Sequence, residues 1–246
     1  LFWTRVAEGA RFSPFQRSPL DVLLGHWTLD TSPVFLAFDL MARVFSPYDL
    51  NPRGVNPLTE ILAECIDFKR VAQAPIKLFV TATNVRTGRG RVFRNSELTP
   101  DILLASACLP TMFQAIEIDG EPYWDGGIYS NTPIEAVLDD KPRKDSVIFT
   151  VHMWNPDGPE PESLWQVMGR QKDIQFASRA KSHIARQLQI HHLRHIIREL
   201  SKELPAKTRN SPKARELASW GCGTTMHVAR LVAPKLEGED HTKDID

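Results

Sequence analysis

A chain of 246 residues with 42% apolar content is long enough to bury a substantial core, as one domain or as two small ones. Its 30 basic residues balance its 30 acidic ones, which argues against nucleic acid as the main partner, and no apolar run approaches the roughly 20 residues that span a bilayer as a helix. Cys65, Cys108 and Cys222 are far apart and odd in number; they fit neither a disulfide framework nor a zinc knuckle and read as reduced, mostly buried thiols of a cytoplasmic protein.

The opening Leu1-Phe2-Trp3-Thr4-Arg5 is no secretory leader, because no basic region precedes an apolar stretch. It lacks a Met and reads like the middle of a helix, so the natural protein is expected to begin upstream. Residues 11–54 are rich in Pro, Phe and Trp. Within them, 34–45 (VFLAFDLMARVF) predicts a short helix. Core packing is the first expectation for it, and a lid or lipid-facing surface beside an active site is the alternative.

Asn56 as a cap, Pro57 at the first helical position, and Leu58, Ile61, Leu62, Cys65 and Ile66 at helical spacing predict an amphipathic helix over 57–70. After Pro75, residues 76–85 (IKLFVTATNV) read as a buried strand, Thr87-Gly88-Arg89-Gly90 as a turn, and Arg91-Val92-Phe93-Arg94 as the returning strand. Thr99-Pro100-Asp101 opens a helix that runs to about Cys108 and is closed by Pro110. Residues 116–118 and 122–124 flank Asp119-Gly120, a strong hairpin signal, and Asp125-Gly126-Gly127 follows at once.

Beyond it, 133–138 predicts a helix and 146–153 (SVIFTVHM) a second buried strand. Two long helices are expected over 160–172 and 173–203, a further one over 211–220 ending at Gly221, and a last strand over 224–232. The tail, 237–246, is polar and expected to be mobile. Strands alternating with helices argue an α/β layered fold, with a mainly helical C-terminal extension.

The chemistry centres on Asp125. A carboxylate at a strand end, followed by two glycines, lets the backbone turn sharply and leaves the side chain open, as a general base requires. The tripeptide alone equally describes an ordinary turn aspartate. Its surroundings add to it. Asp125-Gly126-Gly127-Ile128-Tyr129-Ser130-Asn131-Thr132-Pro133 resembles the aspartate motif of the patatin-like phospholipase family. That motif is DGG or DGA, two or three residues, then Asn and Pro opening a helix. Ala105-Ser106-Ala107-Cys108-Leu109-Pro110 resembles the family's ASxxxP helix end, and Leu78-Phe79-Val80-Thr81-Ala82-Thr83-Asn84 its preceding strand. The three pieces stand in family order across about 76–138.

The resemblance implies a patatin-like central sheet flanked by helices, with residues 1–155 as the C-terminal portion of the hydrolase domain and 156–246 as the extension. It also implies a Ser/Asp dyad without a catalytic histidine, acting on a lipid or phospholipid, with contact at a membrane surface from the cytoplasmic side. No cofactor and no metal are implied. By carry-over Asp125 is the general base, Gly126 and Gly127 shape its turn, and Asn131 holds the turn by side-chain hydrogen bonds. The family's nucleophile stands in a GxSxG elbow behind a GGGxRG oxyanion loop. Neither pattern occurs here, so the N-terminal part that holds them is expected to be missing. A non-catalytic binding or regulatory module on the same scaffold is the alternative.

Ser106 is the best internal candidate for a nucleophile, although a helix serine bonded to backbone is the plainer reading. Ser130 reads as structural. His191 and His195, one turn apart, and His192 beside them make a rival metal site, without an obvious third ligand. The same helix is basic, with Arg170, Lys172, Arg179, Lys181, Arg186, Arg194, Arg198 and Lys202. That reads as a solvated face pairing with acids elsewhere, or as a contact for anionic headgroups.

Overall fold

The computed structural model describes residues 1–9, 17, 19–24, 29, 32–131 and 133–232. The polar tail expected over 237–246 lies outside the described residues. The chain divides into two compact units, Leu1–Asn131 and Thr132–Pro234.

The first unit begins with short helices: α1 (Phe2–Gly9), α2 (Pro19–Leu23), α3 (Pro33–Val44), α4 (Pro47–Leu50), α5 (Leu58–Cys65) and α6 (Phe68–Ala72). The helix expected over 57–70 is thus two. Ile66 is extended and Asp67 starts a new helix, its Oδ1 accepting from Arg70 N at 3.0 Å. A good cap is worth about 1 kcal/mol, enough to divide a short segment.

Then come β1 (Phe79–Asn84), β2 (Gly90–Arg94), α7 (Pro100–Ser106), β3 (Ile116–Ile118), β4 (Glu121–Asp125) and α8 (Gly126–Ser130). The strands make one antiparallel sheet in the order β2-β1-β4-β3. The local signals hold. Asp119 and Gly120 both take positive φ, 54° and 77°, the pair a tight primed hairpin turn needs. Thr99 Oγ1 accepts from Ile102 N at 3.3 Å and caps α7.

Side chains alternate across the sheet. Ala82, Phe93, Ile118 and Tyr123 face α7 and form the core with Leu98, Ile102 and Ala105. Fully burying a residue such as Phe93 is worth about 1.5–3 kcal/mol, so this face anchors the unit. Thr81, Thr83, Gly90 and Trp124 lie on the opposite face, where α8 packs.

Core packing over 34–45 holds for Phe35 and, in part, Phe38; most of α3's apolar side chains are exposed. Val34, Leu40 and Val44 are 64%, 65% and 71% exposed.

The second unit holds α9 (Ile134–Leu138), β5 (Ser146–His152), α10 (Leu164–Glu203), α11 (Ala206–Arg209), α12 (Pro212–Trp220) and β6 (Met226–Val232). The two helices expected over 160–203 are one helix of 40 residues, about 60 Å long. Its weakest helix former near the expected break is Gly169, and one internal glycine costs about 1 kcal/mol, too little to end a long helix. Among the described residues, strand β5 pairs in parallel with β6 alone. It is not the buried strand expected: Val147, Phe149 and Val151 are exposed, Phe149 by 64%, while Thr150 between them is buried. A two-stranded sheet has too little cover for both faces.

Among the described residues no helix is long and apolar enough to cross a membrane.

Candidate active site

Asp125 ends β4 and caps α8. Three features build its turn. First, Asp125 N donates to Cys108 O at 3.0 Å, so the ASACLP segment at the end of α7 delivers the carbonyl that ends the strand. Cys108 is itself locked in the core, its Sγ donating to Gln114 O at 3.1 Å. Burial, and then the nearby Asp125 charge, push its thiol up to about 11, so it stays protonated at neutral pH.

Second, Asp125 Oδ1 accepts from Gly127 N at 2.7 Å. Burial raises the carboxyl above the ordinary aspartate range, and the Gly127 N–H pulls it partly back. The carboxylate is therefore half-buried, oriented by one backbone donor, and more basic than a surface aspartate.

Third, the two glycines differ in kind. A Cβ on Gly126 would stand 1.9 Å from Thr81 O and 2.6 Å from Thr81 C, so only glycine fits against the neighbouring strand. A Cβ on Gly127 would meet Asn131 Oδ1 at 3.1 Å and Asp125 Oδ1 at 3.2 Å, a crowding that small shifts relieve. The difference gives a physical reason why a motif of this kind reads DGG or DGA, but not DAG.

Asn131 is the C-cap residue of α8 and is exposed. The side-chain hydrogen bonds expected from it are not among those of the described residues; its carboxamide oxygen lies over Gly127 instead. Ser106 Oγ donates to Leu103 O at 2.8 Å, the backbone bond expected of a helix serine. Ser130 is buried beneath the turn. Sequence reading passed over Thr83, whose hydroxyl touches the turn twice: it donates to Asp125 O at 2.7 Å and accepts from Tyr129 N at 3.2 Å. Only the strand register brings it there, through the Thr83–Trp124 pair.

The rival histidine site is partly assembled. His195 Nε2 lies 2.7 Å from Thr224 O, so it carries a proton, and 3.2 Å from His191 Nε2. Burial, and then His195, lower the His191 pKa. His192 is exposed, and among the described residues no three His, Cys, Asp or Glu side chains are grouped to hold a metal ion. Three of the basic residues of α10 find acids or carbonyls within their own unit. Arg194 pairs with Asp139 at 3.7 Å and Lys202 with Glu199 at 2.7 Å, while Arg170 donates to Asn155 O and Pro156 O. His183 Nε2 lies 2.6 Å from the Glu135 carboxylate, a pair that sequence reading did not single out.

The α/β fold thus presents a half-buried carboxylate at a strand end through a glycine turn. A model described as patatin-like phospholipase matches residues 34–138, which contain the Asp125 turn, and one described as patatin phospholipase matches residues 174–246. Both models support a patatin-like phospholipase family for this chain, and with it lipid hydrolysis as the general function. No curated protein matches the chain.

Proposed function

We propose that this chain holds the aspartate half of a Ser/Asp dyad in a lipid acyl hydrolase, a phospholipase or esterase. The observation that carries the reading is the Asp125 turn: a half-buried, oriented carboxylate of raised basicity behind a glycine that no other residue replaces. In the reaction, a serine Oγ attacks the ester carbonyl while its proton passes to Asp125. The alcohol leaves with that proton, and water, deprotonated by the same carboxylate, releases the acyl group. Gly126 and Gly127 shape the turn. No cofactor takes part.

The serine comes from a segment outside these 246 residues, since no serine here has glycines at both elbow positions. Thr81 Oγ1, Trp124 Nε1 and Ser130 Oγ, all close to the turn, are buried and have no hydrogen-bond partner among the described residues. Buried polar atoms are rarely left so, which supports a further polar segment against this face. Residues 1–155 are then the hydrolase portion and 156–246 the extension. The decisive assay compares this chain with a longer product of its gene on a phospholipid and on a simple ester. The longer protein is expected to hydrolyse them and this chain to be silent. Hydrolysis by this chain alone would end the reading. An inactive longer protein without an elbow would favour the non-catalytic scaffold.

The reading includes peripheral contact with a membrane from the cytoplasmic side. Residues Ala37, Leu40, Met41 and Val44 form an exposed, uncharged stripe along α3, of a kind that lies in the interface of a bilayer. Leu40→Glu with Val44→Glu is expected to weaken sedimentation with phosphatidylcholine vesicles by at least about tenfold, with unchanged circular dichroism. Equal sedimentation of parent and variant would remove α3 from the contact.

A further inference from the structure

In an α-helix the N-cap carbonyl accepts from the amide four residues on. That bond is direct in α3 (Leu36 N to Ser32 O, 3.0 Å), α7 (Leu103 N to Thr99 O, 3.2 Å) and α10 (Val167 N to Ser163 O, 2.9 Å). In α8 the corresponding groups are Tyr129 N and Asp125 O, and the Thr83 hydroxyl serves both. It accepts from Tyr129 N at 3.2 Å and donates to Asp125 O at 2.7 Å. Thr83 is 4% exposed, so water does not compete for either bond. Only a hydroxyl side chain of this size both donates and accepts there.

The relay sets the width of the turn. The amide and the carbonyl share no direct bond among those of the described residues, and the hydroxyl joins them. Removing it leaves two buried backbone groups unpaired, a costly arrangement, unless the turn closes until they meet. Closure drags the Asp125 main chain with it and takes Gly127 N away from Oδ1. We propose that Thr83 is a positioning residue, whose hydroxyl holds the Asp125 carboxylate in its working orientation by relaying the first helical bond of α8. The inference rests on Asp125 being the general base.

The test is an NMR titration of the Asp125 carboxyl, ¹³C-labelled, in this chain. Thr83→Val, which keeps the shape and loses the hydroxyl, is expected to move the titration upward, because the lowering Gly127 N–H is lost. Thr83→Ser is expected to titrate like the parent. Parental titration in Thr83→Val, with only a lower melting temperature, would reduce Thr83 to a structural role and overturn the proposal. If Thr83→Val does not fold, Thr83→Ser decides. A shifted titration there would give the role to the methyl group and overturn the proposal, whereas a parental one upholds the hydroxyl. In the longer, active protein Thr83→Val should lower kcat by up to about 10²-fold with KM unchanged, and Thr83→Ser should restore it. The titration needs no hydrolysis, so it stands or falls separately from the dyad, which Asp125→Asn tests in the active protein.

Discussion

Asp125→Asn in the longer, active protein is expected to lower lipid-ester hydrolysis by about 10²–10⁴-fold, the typical loss of a general base. The two side chains have the same shape, and the Asn Oδ1 still accepts from Gly127 N. Near-parental turnover would exclude Asp125 from the chemistry. Stability should move the other way. Because burial raises the Asp125 carboxyl, the folded state holds that proton more tightly than the unfolded chain does. Its contribution is therefore fully present below the ordinary aspartate value and is lost as pH rises through the folded value. Asn carries no such loss. Denaturant midpoints at neutral pH should place Asp125→Asn level with the parent or above it, and the gap should close in acid. A variant less stable at neutral pH than in acid, relative to the parent, would contradict the burial of the carboxylate. Asn caps a helix as well as Asp does, so lost activity with kept or gained stability assigns the loss to the chemistry of the carboxylate and not to the cap.

Gly126→Ala and Gly127→Ala, although adjacent and chemically identical, should differ sharply. At 126 the obstacle is backbone, with Thr81 O at 1.9 Å from the new carbon, and β1 gives way only with its ladder to β2 and β4. Overpacking typically costs about 1–3 kcal/mol, and this contact belongs at the upper end or beyond it. At roughly 2–4 °C per kcal/mol for a chain of this size, the melting temperature should fall by several degrees, and the Asp125 turn should be displaced. At 127 the contacts are with movable side-chain oxygens, and the lower freedom of the unfolded chain offsets the crowding, so a change of about 0.5 kcal/mol either way is expected. Thermal unfolding by circular dichroism reads both. Coincident curves for the two variants would mean that the strand does not press on Gly126.

These contrasts mark what a sequence discloses about such a site. Features written by neighbours in the chain were legible: the Asp119-Gly120 turn, the Thr99 cap, the start of α12 at Pro212 and its stop at Gly221. So was the turn glycine pair, as a pattern. The reason for the pattern was not, because Thr81 meets Gly126 only through the pairing of β1 with β4, forty-odd residues apart in the chain. Thr83 escaped notice for the same cause: in the run FVTATN a threonine reads as a strand former, and its hydroxyl has a task only in this register. Apolar runs misled in another way. β5 read as buried, and core was the first of two expectations for α3, since hydrophobicity reports that a segment seeks cover but not whether cover is at hand. Breaks within helices were the least legible, being settled by single capping contacts such as Asp67 with Arg70.

Strand β5 carries a consequence for handling the protein. With Val147, Phe149 and Val151 outward and β6 its one partner among the described residues, it presents a bare row of peptide groups beside an oily strip. Such an edge templates the addition of like strands from other molecules. Preparations of this chain should therefore scatter more light as concentration rises, and a single Phe149→Lys exchange should keep them clear without touching the Asp125 turn.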